Sequence, residues 1–369
     1  MKNACVIFND GNGVPERVIG ALFASLRAHG FVFEEERRLF TLDSAKLSAT
    51  LSELKKTYEN VFVFTGKAYL LSVKETLIKS ACVQENVFQG TLLGAGIFSD
   101  KKSSVFLLSA DFTETGKEYL DGVCIPYLER KAGVKTDRTV IRLVGASEAR
   151  VQALFSQAKS IDNGQIRYFH TRRFDEDVIE MLYDENVSKR LESDVLRVFA
   201  EGLSDHVYAL DDTPLEEQLV RLLKLRGKKI SVAESFTGGG IARKIVSVSG
   251  ASAVYFEGLN TYNEESKMRR LGVREYTLRS YGAVSDQTAY EMSAGLMASG
   301  NCDISIATTG LAGPKSDSSA LPVGLCYIAV GTQEKVLVYR YKFDGDREEI
   351  TEKAIRYALF LAYKELKNM

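Results

Sequence analysis

The run Ala233-Glu234-Ser235-Phe236-Thr237-Gly238-Gly239-Gly240 sets a hydroxyl just ahead of a glycine triplet. It follows a short apolar run, Ile230-Ser231-Val232, and precedes a helical pattern from Ile241, so it reads as strand, turn and helix. A hydroxyl on such a turn can act as a nucleophile, and unpaired amides at a helix start can hold an oxyanion or a phosphate. The glycines let a substrate approach the backbone and permit positive φ. All three histidines, His29, His170 and His206, lie upstream of this run. A Ser-His-Asp triad made within the same domain is therefore ruled out, and the base for Ser235 must be a lysine, a tyrosine or a carboxylate. A histidine-rich zinc site is not expected there either.

Three later stretches carry groups that such a serine would use. Phe256 to Lys267 runs from an extended segment into a polar helix start capped by Asn263, with Tyr262 at the junction and Lys267 about one turn into the helix. Ile304 to Pro314 is a strand opening into a Gly/Pro loop. Thr309 and Gly310 fall at its carboxyl end, where open α/β sheets bind their ligands. Phe343-Asp344-Gly345-Asp346-Arg347 leads to a last helix whose apolar face is Ile350, Ala354, Ala358 and Leu361. Arg347 offers a fork of donors suited to phosphate, and a cation in a first helical turn is mildly unfavourable, which argues for a functional reason.

The elements that must position these groups belong to an α/β chain. Residues 1 to about 162 alternate strands and helices: Ala4 to Phe8, Asn60 to Phe64, Ser104 to Leu108 and Thr139 to Val144 are strands. Pro15 to Ala28, Leu71 to Lys79, Lys117 to Lys131 and Ser147 to Ala158 are helical, with Pro126 bending or breaking the third. This alternation predicts an open α/β sheet. Its strand ends carry Asp10, in Asn9-Asp10-Gly11-Asn12-Gly13, and Gly66, in Thr65-Gly66-Lys67-Ala68, neither being a GxGxxG or Walker A sequence. Residues 163 to 210 form a small α+β bridging module, and residues 211 to 369 the domain that carries Ser235.

Lys plus Arg (48) balances Asp plus Glu (49), so no net field draws the protein to nucleic acid or an anionic membrane. The beginning of the sequence lacks a signal-peptide pattern and no apolar run approaches a membrane span, which together predict the cytoplasm. The five scattered cysteines form no CxxC and read as free thiols in a reducing compartment. No metal or cofactor is expected.

Several stretches then carry a resemblance: Ala233-Glu234-Ser235-x-Thr237-Gly238-Gly239, Gly250-Ala251-Ser252, Tyr262-Asn263-Glu264-x-x-Lys267, Tyr281-Gly282-Ala283-Val284-Ser285, Thr309-Gly310-x-Ala312-Gly313-Pro314, Pro322-Val323-Gly324 and Gly345-Asp346-Arg347. In order and spacing this set resembles the C-terminal domain of the CinA (competence/damage-inducible) family, and the upstream layout is similar to the full-length proteins.

The resemblance implies a nicotinamide-nucleotide amidohydrolase, which deamidates nicotinamide mononucleotide to nicotinic acid mononucleotide and ammonia. Carried over by position, Ser235 matches the nucleophile and Tyr262 and Lys267 its activating pair. Thr237, Gly238, Gly239, Thr309, Gly310 and Arg347 fall at substrate-binding positions. A lysine serves as a base only if its pKa is lowered, so Lys267 is expected to be shielded from water. A homodimer is implied, with nicotinamide mononucleotide or a related pyridine nucleotide as its ligand and neither nucleic acid nor membrane as partner. Two departures are Phe236, where the family has Cys or another small residue, and the loop 315–321, which lacks the family's glycines.

The family's N-terminal domain resembles molybdopterin-binding domains and is associated with metal-dependent ADP-ribose pyrophosphatase activity. Here Asp10 alone remains of its acidic motif and Gly66 stands in a changed phosphate loop, a vestigial site expected to be silent toward ADP-ribose. Two other readings stay open: a non-catalytic nucleotide-binding scaffold of the same family, and an amidase for another pyridine nucleotide.

Overall fold

Long apolar runs such as Asn60-Val-Phe-Val-Phe-Thr65 are buried along their whole length, as strands covered on both faces must be. The computed structural model describes residues 1–8, 16–40, 43–80, 82–87, 95–100, 102–109, 118–314 and 321–369. Its first compact unit comprises Met1–Arg138 with Gln165–Arg167 and Leu182–Ser188.

That unit contains β1 (Asn3–Phe8), α1 (Glu16–Ala28), β2 (Glu35–Leu39), α2 (Ser44–Thr57), β3 (Asn60–Thr65), α3 (Leu70–Lys79), β4 (Val83–Val87), β5 (Gly96–Ser99), β6 (Ser104–Ser109) and α4 (Ile125–Ala132). The sheet order is β2-β1-β3-β6-β5-β4, with the first four strands parallel and β5 and β4 antiparallel. Alternate residues feed opposite faces. Cys5, Ile7, Phe62, Phe64 and Phe106 pack with α1 and α4, while Val6, Val61, Val63 and Val105 pack with α2 and α3. Pro126 marks a break of type in the helix: a π-helical turn at Leu120–Cys124 gives way to α4, and Pro126 sits in the first turn of α4.

The second unit comprises Thr139–Gly164, Tyr168–Met181 and Lys189–Met369. Its smaller sheet has the order β10-β7-β9-β8, built from β7 (Thr136–Val144), β8 (Ile166–Arg173), β9 (Glu176–Asp184) and β10 (Val207–Ala209), with α5 (Glu148–Asp162) and α6 (Lys189–Gly202). The sequence reading places β7 and α5 in the first domain. In the structure they group with the bridging module, because β7 finds its strand partners in β9 and β10.

The larger sheet follows, with α7 (Leu215–Arg226), β11 (Ile230–Glu234), α8 (Gly240–Val246), β12 (Tyr255–Asn260), α9 (Glu264–Leu271), α10 (Glu275–Tyr281), α11 (Asp286–Ala298), β13 (Ile304–Gly310), β14 (Leu325–Thr332), β15 (Val336–Lys342) and α12 (Arg347–Asn368). Its order is β12-β11-β13-β14-β15, parallel across β12, β11 and β13 and antiparallel beyond. Ile350, Ala354, Ala358 and Leu361 of α12 are buried, as their spacing predicts.

Within this unit α12 also meets the smaller sheet. Arg356 donates to Glu176 at 3.0 Å, and Glu176 accepts from Arg142 of β7 at 3.0 Å and from the Tyr208 hydroxyl. The β8–β9 turn, Phe174-Asp175, has positive φ at both residues, the geometry that a two-residue hairpin requires. It lays the Phe174 ring 5.0 Å below the Arg356 guanidinium.

Candidate active site

The strand that carries Ser235 is buried at every residue and lies between β12 and β13. Ser235 therefore emerges at the carboxyl end of a parallel strand, beside the ends of both neighbours. From β12 the chain passes through Thr261 and Tyr262 into α9, whose first turn is capped by the Asn263 side chain accepting from the Ser266 amide at 2.8 Å. That cap fixes the register of α9, and Lys267 points inward.

Lys267 is only 1% exposed. Its amine donates to Ser235 Oγ at 3.0 Å, to the Thr261 carbonyl at 2.7 Å and to the Tyr262 carbonyl at 3.3 Å. Burial pushes its pKa down from 10.5 to about 8, against a weaker pull upward from Glu264. Desolvation disfavours the ammonium, so proton loss near neutral pH becomes accessible. Tyr262 is 66% exposed on the rim of the cleft, and it meets Lys267 through its main-chain carbonyl rather than its phenol.

The cleft, of about 320 Å³, gathers Ser235, Tyr262, Lys267, Thr309, Gly310 and Arg347. Thr309 Oγ1 donates to the Ala283 carbonyl at 2.6 Å, which ties the end of β13 to the chain ahead of α11. Gly310 needs to be glycine, since a Cβ there would lie 2.5 Å from Cβ of Cys326 on β14. Arg347 is exposed and anchored by a 2.6 Å bond to the Gly313 carbonyl.

Thr237, Gly238 and Gly239 hold the turn together. The Thr237 hydroxyl is buried against that of Thr308 at 2.8 Å. Gly238 and Gly239 both have positive φ, and their amides go to the Ser235 carbonyl and to the Glu234 carboxylate at 3.1 Å each. The amides of Phe236 and Thr237 donate to no group among the described residues. Glu234 escapes notice in the sequence because its partners are main-chain amides and leave no side-chain signature.

Phe236, 6% exposed, is seated in an apolar cluster with Ala312, Cys326, Phe343, Ile350 and Ala354 while one edge lines the cleft. Its bulk is thus largely taken up by the core. Gly66 follows β3 in the first unit, whereas Asp10 and residues 315–320 lie outside the described residues. Among the described residues, Glu148, His170 and Asp177 bring one ligand atom each within 4.8 Å, the arrangement most able to hold a metal ion. The Arg172 guanidinium already lies 3.4 Å from Glu148 and 3.6 Å from Asp177, which makes the cluster an ion-pair network within the smaller sheet.

Fold and site together define an α/β protein with a buried Ser-Lys pair at the carboxyl end of a central parallel strand. The family model described as the CinA C-terminal domain matches residues 212–366. A Caldicellulosiruptor saccharolyticus protein named "Putative competence-damage inducible protein" is 34% identical over 281 residues, 76% of this chain and 68% of that one. A "CinA-like protein" of Kosmotoga olearia is 31% identical over 309 residues, 80% of this chain and 73% of that one. The chain belongs to the CinA family. A crystal structure of a competence-damaged protein (CinA) superfamily member from Klebsiella pneumoniae has 32% identity over 42% of this chain and 97% of its own, with a TM-score of 0.41. No described helix is long and apolar enough to cross a membrane.

Proposed function

We propose that the domain carrying Ser235 hydrolyses the carboxamide of a pyridine mononucleotide, nicotinamide mononucleotide above all, to the carboxylate and ammonia. The observation that carries this reading is the 3.0 Å contact between Ser235 Oγ and a buried lysine whose pKa is lowered to about 8. Neutral Lys267 takes the Ser235 proton as Oγ bonds to the carboxamide carbon, and the carbonyl electron pair moves onto oxygen. The amides of Phe236 and Thr237 receive that oxyanion. The C–N bond then breaks, Lys267 returns the proton to the departing ammonia, and water repeats the sequence on the acyl-enzyme. The main test is ammonia release from nicotinamide mononucleotide by the full chain. A folded protein that binds the nucleotide and releases none would favour the scaffold reading.

The pH profile follows from the lysine. Only the neutral amine accepts a proton, so kcat/KM rises with pH through the Lys267 pKa of about 8 and gains about tenfold between pH 7 and a plateau above pH 9. A flat profile over that range would remove Lys267 from the base role.

Arg347 is the cleft's one cation besides Lys267 among the described residues. Arg347→Ala is expected to raise KM for the mononucleotide by roughly 10- to 100-fold with kcat little changed, the loss of a charge-assisted contact made equally in ground and transition states. The riboside, which lacks the phosphate, should not distinguish the variant from the parent. Equal losses on both substrates would place the phosphate elsewhere.

A further inference from the structure

Glu234 closes the central strand immediately before Ser235 and takes no part in the proton transfers above. It is 1% exposed, yet its carboxylate accepts three hydrogen bonds, from Gly239 and Ile241 at 3.1 Å each and from Ala242 at 2.9 Å. A buried carboxylate is tolerable only when its oxygens are satisfied, and here main-chain amides satisfy them. Those amides belong to the cap residue just ahead of α8 and to its first turn, the donors that a helix start would otherwise offer to an anion. The seven-residue α8 has no other side-chain cap.

The consequence falls on the turn between. Residues 235–239 are pinned by Glu234 at both ends, covalently at one and by its carboxylate at the other. Inside, the Gly238 amide bonds the Ser235 carbonyl at 3.1 Å and the Gly240 amide bonds the Thr237 carbonyl at 2.9 Å. What remains without a partner among the described residues is the pair of amides at Phe236 and Thr237, next to the Ser235 hydroxyl. We propose that Glu234 is a positioning residue, whose carboxylate clamps the turn onto α8 and so aims those two amides at the oxyanion formed on attack by Ser235. This rests on the hydrolase reading of the same site.

A fluorophosphonate probe tests it without depending on the identity of the amide substrate. Ser235 Oγ bonds to phosphorus, Lys267 takes the proton, fluoride leaves, and the phosphoryl oxygen draws on the same donors. In the full chain, Glu234→Gln keeps one acceptor oxygen but turns an NH₂ toward the amides, so at least one of the three bonds is lost. Its final labelling stoichiometry should equal the parent's, while the labelling rate falls about 10²- to 10³-fold, the effect of losing an oxyanion donor. Glu234→Asp, one methylene short with its charge kept, should label to the same stoichiometry at an intermediate rate. A purely structural role predicts instead that stoichiometry and melting temperature fall together at an unchanged rate per labelled site. A Gln variant that folds and labels at the parental rate overturns the positioning role and leaves the Ser-Lys reading standing. If the Gln variant does not fold, full-rate labelling of the Asp variant overturns it. A parent chain that does not label at Ser235 overturns both.

Discussion

Ser235→Ala and Lys267→Met are each expected to lower amide hydrolysis by at least about 10³-fold, and the double variant to be no slower than either single one. The two groups act as one device, the nucleophile being weak until its proton has somewhere to go, so removing either half disables the other and the losses do not add. The 3.0 Å contact is what makes the unit, because Lys267 is within direct reach of the hydroxyl without a relay through the Tyr262 phenol. Lys267→Arg should fail as badly as methionine, since a guanidinium keeps its proton throughout the accessible pH range. Single-turnover ammonia release from the four variants, with folding checked by circular dichroism, decides the matter. Fully additive losses would mean that serine and lysine serve separate steps.

Gly295→Ala is expected to damage both stability and rate although residue 295 does not line the cleft. Gly295 lies in α11, and a Cβ there would sit 2.0 Å from the carbonyl oxygen of Leu271, the last residue of α9. The obstruction is backbone, which cannot rotate aside as a side-chain end would, so the two helices must part. Alanine is favoured over glycine in a helix by about 1 kcal/mol. Overpacking a tight contact costs about 1–3 kcal/mol and outweighs that gain. Parting the helices carries α9 away from the sheet, and Lys267 sits one turn before Leu271 on that helix. A displacement of about 1 Å is worth on the order of 10²-fold in rate. The melting temperature should fall, and kcat at a temperature where the variant is fully folded should fall by about that factor. Unchanged turnover in a destabilised protein would show that α9 holds its lysine independently of α11.

Much of this arrangement is legible in the residue order. Asn263 ahead of a polar helix start fixes where α9 begins, and Lys267 follows at the position that faces inward. The absence of histidine beyond position 206 directs attention to a lysine before any contact is known. Other features depend on partners distant in the chain or on the backbone. Phe236 reads only as a departure from a small residue, and the residues that receive its ring, Ala312, Phe343 and Ile350, are distant in the chain. Glu234 carries no signal in the sequence, since its acceptors serve amides that any sequence would possess. Tyr262 contributes a carbonyl to the lysine, and no inspection of side-chain types could separate that from a role for its phenol. Strand β7 follows a helix as its predecessors do, and only pairing assigns it to the smaller sheet.

The two arginines of α12 are set nine residues apart, two and a half turns at about 100° per residue, and so project from opposite sides of one rod. Arg347 faces the cleft while Arg356 is locked to Glu176 of the smaller sheet. The helix is thereby phase-locked. Inserting or deleting a single residue between them would rotate one arginine by about 100° relative to the other, so that keeping either contact forfeits its counterpart. Substitutions along that stretch can be absorbed one at a time, but its length cannot drift.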